Sequence, residues 1–468
     1  MTSPTIAAIA LDTGTTSIKA GLLDRHGILK HIVVQPAANI TVNDGRYESD
    51  ALAYAMAADK ALEEIFAHAD GCRTFGLCSQ RSSFLIWEKS GGQPLTSLIS
   101  WQDSRGAASC DALRTHEECI SKLTGLPLTP YYFAPKLRML LLENPDWLAR
   151  MAAGELLVGT LDTFLIWRWT GGKLHVTDVS MAARTLLLDI RQQRWSPVLC
   201  ELFGIPLSIL PQIRSSTKMG LLLDNGLILD ASVGDQSAAL FASVREDRAE
   251  ALVNLGTGCF VVRYISLENL TAGKAAIPGY LQALVYQDDR LHPHYAIEGT
   301  LNSIAPALAP YPVAECRSED LAADDIFCLA EPSGLGAPFF RSDLGFRFSE
   351  PVDQMPRNRI AVLLLEAVIF RVARILEDFQ CESAIERVYL SGGLSELACL
   401  QQGIANCVPL DIFHLRYSET SLQGAALLAA GMPQAYSRSA EEISRTLGNN
   451  ALSVKYKRWK DWLDSLLK

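Results

Sequence analysis

The segment IAAIALDTGTTSIKAGLLD, Ile6 to Asp24, carries two apolar runs parted by Asp12-Thr13-Gly14-Thr15-Thr16. Residues 6–11 are unbroken in their hydrophobicity, as a central strand covered on both faces must be. After the turn, Ile18, Ala20 and Leu22 alternate with Ser17, Lys19 and Gly21, the period-two pattern of a second strand. A Gly-Thr-rich turn can gather backbone N–H groups around an anion, with Gly14 where positive φ is called for and Thr15 and Thr16 adding hydroxyl donors. No Gly-Lys-Ser/Thr follows, so this is not the P-loop. A carboxylate at Asp12 would repel phosphate unless a divalent cation or its water shell stood between them. Taken alone, the same residues also suit an ordinary hairpin, because Asp, Thr and Gly all favour turns.

Outward from this hairpin, residues 24–27 turn the chain into a third strand at 28–34. Residues 50–67 have helical spacing, with Ser49 or Asp50 able to cap, and residues 74–79 read as a strand. Three meandering strands, a helix and a strand do not make the regular βαβ dinucleotide fold. The device recurs: Asn254-Leu-Gly256-Thr257-Gly258 ends one apolar run and precedes another at 259–265. Asn254 then falls on Asp12, Gly256 on Gly14 and Thr257 on Thr15, which suggests two related halves. A third glycine turn, Ser391-Gly392-Gly393, follows a strand at 387–390 and precedes a helix expected near Ser395. A long amphipathic helix spans 359–379. We place the domain boundary near residue 243, giving domains 1–243 and 244–468 that pack face to face, with Asp235 at the joint. Two such turns could then clamp a triphosphate from both sides of a cleft.

Composition narrows the function. A chain of 468 residues, 49% hydrophobic and 20% charged, is too long for one core and ordinary for a globular protein. The net charge of −10, with no long basic run, argues against nucleic acid and anionic membranes as partners. The start Met1-Thr-Ser-Pro lacks a basic leader region, and the apolar stretch 360–370 is broken by Glu366 and too short to span a bilayer. Eleven cysteines without Cys-x-x-Cys or zinc-like spacing read as free thiols of a cytoplasmic protein. His292-Pro-His294 has no third ligand nearby and reads as a loop or strand edge.

Two further stretches bear chemistry. Asp235, after Gly234 and before a helix, is either an N-cap or a general base for a substrate hydroxyl. In Trp101-Gln102-Asp103-Ser104-Arg105, an extended backbone would project Trp101, Asp103 and Arg105 from one face. That makes either an aromatic wall with hydrogen-bonding partners for a polyhydroxylated ligand or a surface strand with an ion pair. Gln80-Arg81, at a strand end, could add donors.

Together and in this order, these elements resemble the FGGY family of carbohydrate and polyol kinases. The supporting runs are LDTGTTSIKAGL, SWQDSRG, SVGDQSAALFA, VNLGTGCF, SGLGAPFF, YLSGGLSE and SETSLQGAALLAAG, covering residues 6–432. The resemblance is strongest to the glycerol kinase members and extends to xylulokinase-type ones. It implies an α/β, two-domain ribonuclease H-like fold of the actin and hexokinase type, with ATP in the interdomain cleft. It implies Mg²⁺-ATP-dependent phosphorylation of a small sugar or polyol. Carried over by position, Asp12 and Asp235 would serve Mg²⁺, and Gly14, Thr15, Thr16 and Lys19 would meet the phosphates. Gly256 and Thr257 would do so from the second domain, while Gly392 and Gly393 would flank the adenosine. Arg81, Trp101, Asp103, Tyr131 (or Tyr132), Gln236 and Phe260 would line the substrate pocket, with Asp235 as the base. The chain departs from glycerol kinases at Ser82, where they carry Glu after the arginine; that carboxylate would bind a glycerol hydroxyl, so its absence counts against glycerol as the acceptor. The segment after Gly299, with Pro306 and Pro310, is shorter than usual and would alter a helix near the nucleotide. A homodimer is compatible with the resemblance. The rival readings are an actin- or chaperone-type conformational ATPase and a degenerate kinase that binds a metabolite.

Overall fold

The computed structural model describes residues 6–266, 278–417, 419–446 and 450–468. The chain forms two compact units. The first takes the described residues up to Ala242 together with Gln282–Tyr295 and Glu419–Ser437; the second takes the remainder. The first unit is therefore discontinuous, and the segment carrying ETSLQGAALL, from Glu419, returns to it.

In the first unit a six-stranded sheet runs in the order Thr217–Leu222, Ile228–Gly234, Thr74–Ser79, Ile6–Thr13, Ser17–Asp24, Leu29–Pro36. Ile6–Thr13, Thr74–Ser79 and Ile228–Gly234 are mutually parallel, and the flanking strands are antiparallel. The register sets Thr13, Ser79 and Gly234 side by side. The carboxyl ends of three parallel strands thus form one edge, the usual place for a ligand in open α/β sheets. Ile9, Leu11, Phe75, Leu77 and Leu229 are fully buried on one face, under helix Ala51–Phe66, whose Ala55, Ala58 and Leu62 join the same core. Asp50 caps that helix, accepting from the Ala53 N–H at 2.9 Å.

The opposite face carries helix Thr420–Ala429, and glycine lets it lie flush. A Cβ at Gly76 would strike the Ala425 carbonyl, one at Gly21 would lie 3.0 Å from Leu422, and one at Gly424 would strike the Ala238 carbonyl. Ala238 belongs to helix Asp235–Ser243, so this contact sets how that helix and its first residue sit. Gly424→Ala is expected to destabilise the protein by about 1–3 kcal/mol through overpacking against an immovable backbone. Thermal unfolding checks this, and an unchanged melting temperature would refute it.

A second, seven-stranded sheet runs in the order Leu281–Gln287, Pro293–Leu301, Cys259–Ile265, Glu250–Leu255, Arg387–Ser391, Asp411–Leu415, Ala440–Ile443, and its last five strands, which lie in the second unit, repeat the plan of the first. Again a hairpin is followed by parallel strands and closed by an antiparallel one. Helix Arg357–Glu382 is longer than its apolar pattern predicts, and its interior charges are not breaks. Glu366 meets Lys455 at 2.5 Å and Arg371 meets Glu331 at 2.7 Å, all four buried. Paired in this way, a buried charge is tolerated. No described helix is long and apolar enough to cross a membrane.

Candidate active site

Asp12 stands opposite Lys19 in the opening hairpin. Gly14 does not take positive φ, contrary to expectation. Glycine is needed there for space, because a Cβ would lie 2.9 Å from the Ser17 carbonyl oxygen. Gln80 organises the turn. Its Nε2 donates to the Gly14 carbonyl at 3.3 Å and to Tyr54 at 3.2 Å, and its Oε1 accepts from Thr15 at 3.2 Å and Ser83 at 3.0 Å. The Tyr54 hydroxyl also donates to the Gly14 carbonyl, at 2.6 Å. The Thr15 hydroxyl, expected to meet phosphate, accepts in turn from the Trp101 indole N–H at 3.1 Å. It ties the turn to Trp101, while Thr16 is exposed at the tip. Lys19 is ion-paired with Glu419 at 2.6 Å. The free cation expected opposite the turn is therefore held by a carboxylate 400 residues away.

Asp12 Oδ1 is buried without a hydrogen-bond partner, although the residue as a whole is only partly covered. Burial pushes its carboxyl up to about 7, the Asp235 charge adds to the rise, and the Cys78 thiol and Lys19 oppose it. Asp235 opens helix Asp235–Ser243 directly after its strand. Its Oδ1 accepts from the Gln236 N–H at 2.7 Å and lies 3.6 Å from the Arg81 Nε. Arg81 reaches it by passing over Gly234, where a Cβ would lie 2.9 Å from the arginine stem. Behind the strand end, the Gly234 N–H donates to Ser180 Oγ at 2.8 Å, and Ser180 donates to Asp178 at 3.0 Å. Asp178 also accepts from Ser216 at 2.7 Å, so a buried polar chain holds the N–H of Gly234, the residue before Asp235. Sequence reasoning missed this chain, whose members lie 38 and 54 residues apart.

The stretch Trp101–Arg105 is a turn, not an extended strand, which corrects the expectation that its alternate residues share one face. Trp101 is exposed and Asp103 fully buried. Asp103 accepts from the peptide N–H groups of Tyr47 at 2.8 Å and Arg105 at 3.0 Å, and from the Arg105 guanidinium at 2.8 Å. Burial works against its charge, yet these donors hold its carboxyl below the usual range. Its two oxygens accept four hydrogen bonds in all, one from Tyr47 and three from Arg105. The expected local cue was there, since Asp bonding to the N–H two residues on is a turn habit. Tyr131 is exposed just before helix Phe133–Glu143, and Tyr132 is that helix's N-cap residue. Ser82 is buried at φ 65°, and its hydroxyl donates to the Arg184 carbonyl at 2.9 Å.

In the second unit, Asn254 pairs with Phe260 across the second hairpin and with Ser391 on the parallel strand. The turn closes through the Gly256 N–H donating to the Gly258 carbonyl at 2.8 Å. Gly392, at φ 87°, admits no side chain, for a Cβ would lie 2.5 Å from the Leu255 carbonyl oxygen. Gly393 has open space beside it. The helix expected near Ser395 is a 3-10 turn, Gly393–Glu396, followed by helix Ala398–Cys407. The segment expected to be short carries a five-residue α-helix, Ile304–Leu308, and two 3-10 turns, Val313–Glu315 and Ser318–Asp320; the Ala305 N–H of that helix donates to the Thr257 carbonyl at 3.0 Å.

The orphaned Asp12 oxygen fits a cation. Among the described residues no group of three or more His, Cys, Asp or Glu side chains could cage a metal. Mg²⁺ does not require a cage, because it is usually held by one or two carboxylates, waters and substrate phosphates.

Comparison with known proteins places these features. The N-terminal domain of the FGGY family of carbohydrate kinases matches residues 7–235, and its C-terminal domain matches residues 251–432. A glycerol kinase of Rhodopirellula baltica is 31% identical over 465 residues, covering 94% of this chain and 85% of its own. An apulose kinase of Pectobacterium atrosepticum is 30% identical over 488 residues, covering 97% and 96%. Among solved structures, a Plasmodium falciparum glycerol kinase with ADP superposes with a TM-score of 0.81 at 22% identity, covering 98% of this chain and 97% of its own. The chain belongs to the FGGY family of carbohydrate kinases.

Proposed function

We propose that this kinase transfers the γ-phosphoryl group of ATP to a hydroxyl of a small sugar or polyol, with Asp235 as general base. The observation that carries this reading is the coupling of Asp12 and Asp235 at one sheet edge. Asp12 is the penultimate residue of one parallel strand and Asp235 directly follows another, with a single strand between the two, and the Asp235 charge helps raise the Asp12 carboxyl. Asp235 takes the hydroxyl proton as the oxygen bonds to the γ-phosphorus. The bond to the bridging oxygen breaks, ADP leaves, and the proton passes from Asp235 to solvent. Asp12 and Asp235 would hold Mg²⁺, which neutralises phosphate charge when bound. Arg81 orients Asp235, and Trp101 offers an aromatic face to the carbon-bound hydrogens of a polyol. Names carried by relatives, glycerol and apulose kinases among them, support a small polyhydroxylated acceptor. Ser82, which turns its hydroxyl to Arg184, presents no carboxylate to a glycerol hydroxyl.

A coupled ADP-release screen over glycerol, erythritol, pentuloses, pentitols, heptuloses and aldonates tests this. At least one acceptor is expected to raise ADP release well above the acceptor-free rate. Equal release with every acceptor would sink the proposal and favour a conformational ATPase.

A further inference from the structure

Lys136 lies on helix Phe133–Glu143 and is wholly buried. Its Nζ donates to the carbonyl oxygens of Ser100 at 2.8 Å and Ser82 at 3.3 Å, and it stands 5.8 Å from the centre of the Phe84 ring. Ser82 follows Arg81 and Ser100 precedes Trp101, so one amino group grips the two loops that present both side chains. The loops are also stitched to each other, the Trp101 N–H donating to Ser83 Oγ at 2.9 Å. The helix bearing Lys136 begins beside Tyr131. A buried amino group is costly beside an apolar side chain of the same length. Burial pulls Lys136 down to about 7, Asp103 opposing and Arg105 adding to the fall. Both the ammonium and the neutral amine keep enough N–H donors for the two carbonyls, so the clamp holds across neutral pH.

We propose that Lys136 is a positioning residue that sets acceptor affinity by holding Arg81 and Trp101 in register. This rests on the reading of those two residues as the acceptor wall. It touches no reacting atom, and Ser82, at φ 65°, is the strained point it restrains.

The test is steady-state kinetics of Lys136→Met, which keeps the length and apolar bulk but removes the donors. The acceptor KM is expected to rise about tenfold or more, while kcat and the KM for ATP stay within about threefold. If the variant does not fold, Lys136→Leu, which also removes the donors, carries the same comparison. An unchanged acceptor KM, or a parallel fall in kcat and in apparent affinity for both substrates, would overturn the proposal as mere structural support. The absence of any acceptor-dependent turnover in the wild type is a different result, since it removes the acceptor wall itself and this inference with it.

Discussion

Asp235→Asn is expected to lower kcat by about 10²–10⁴, the range a positioned general base contributes. The substitution keeps the side-chain volume and an oxygen that can still accept from the Gln236 N–H. It removes the proton acceptor and the negative charge that raises the Asp12 carboxyl. Stability is therefore expected to hold or rise while turnover falls. Turnover of the true acceptor at near-wild-type rate would show that Asp235 is not the base.

Asp12→Asn is expected to split activity from stability even more sharply. Phosphoryl transfer in Mg²⁺ should fall by at least about 10²-fold, the order attached to losing one charge-stabilising group. The metal-free protein, however, should become more stable at pH 8. In the fold the Asp12 carboxyl is raised from its ordinary 3.8 to about 7, by burial first and Asp235 second. Below about pH 4 it is protonated in both folded and unfolded chains and costs nothing. Between about pH 4 and 7 the folded chain keeps a proton that the unfolded chain has lost, so stability falls as pH rises, and the full cost stands above about 7. At about 1.4 kcal/mol per unit of pKa, the cost is at most about 4.5 kcal/mol, less what solvent recovers at a partly open residue. Melting in a chelator at pH 8 and pH 4 measures it. The variant should gain at pH 8 and not at pH 4. Equal effects at both would refute the buried-charge account. Adding Mg²⁺ with ADP should then stabilise the wild type more than the variant.

The opening hairpin, its capped helix and the strand at 74–79 could be read from residues 6–79 because their causes are local. Period-two burial, turn-forming residues and an Asp cap act within a few residues of chain. The same locality made the second hairpin visible, and with it the repeat of the sheet plan in both units. Where local cues competed, the reading failed. Trp101–Arg105 alternates like a strand, but Asp103 bends it by bonding Arg105 and Tyr47. Gly14 reads as a positive-φ glycine, yet it is there because a neighbouring carbonyl leaves no room for a side chain.

The sequence by itself determined which short segments fold, where they turn, and which residue types could handle a phosphate and a hydroxyl. Tertiary structure alone decided what those residues meet. Lys19 is claimed by Glu419, 400 residues on. Gln80 ties the Gly14–Thr15 turn together from a strand end 66 residues on. Lys136 finds carbonyls 36 and 54 residues away. The physical reason is that a buried charge or hydroxyl must find its partner wherever packing brings one. That choice depends on the whole sheet closing and on no stretch of residues read singly.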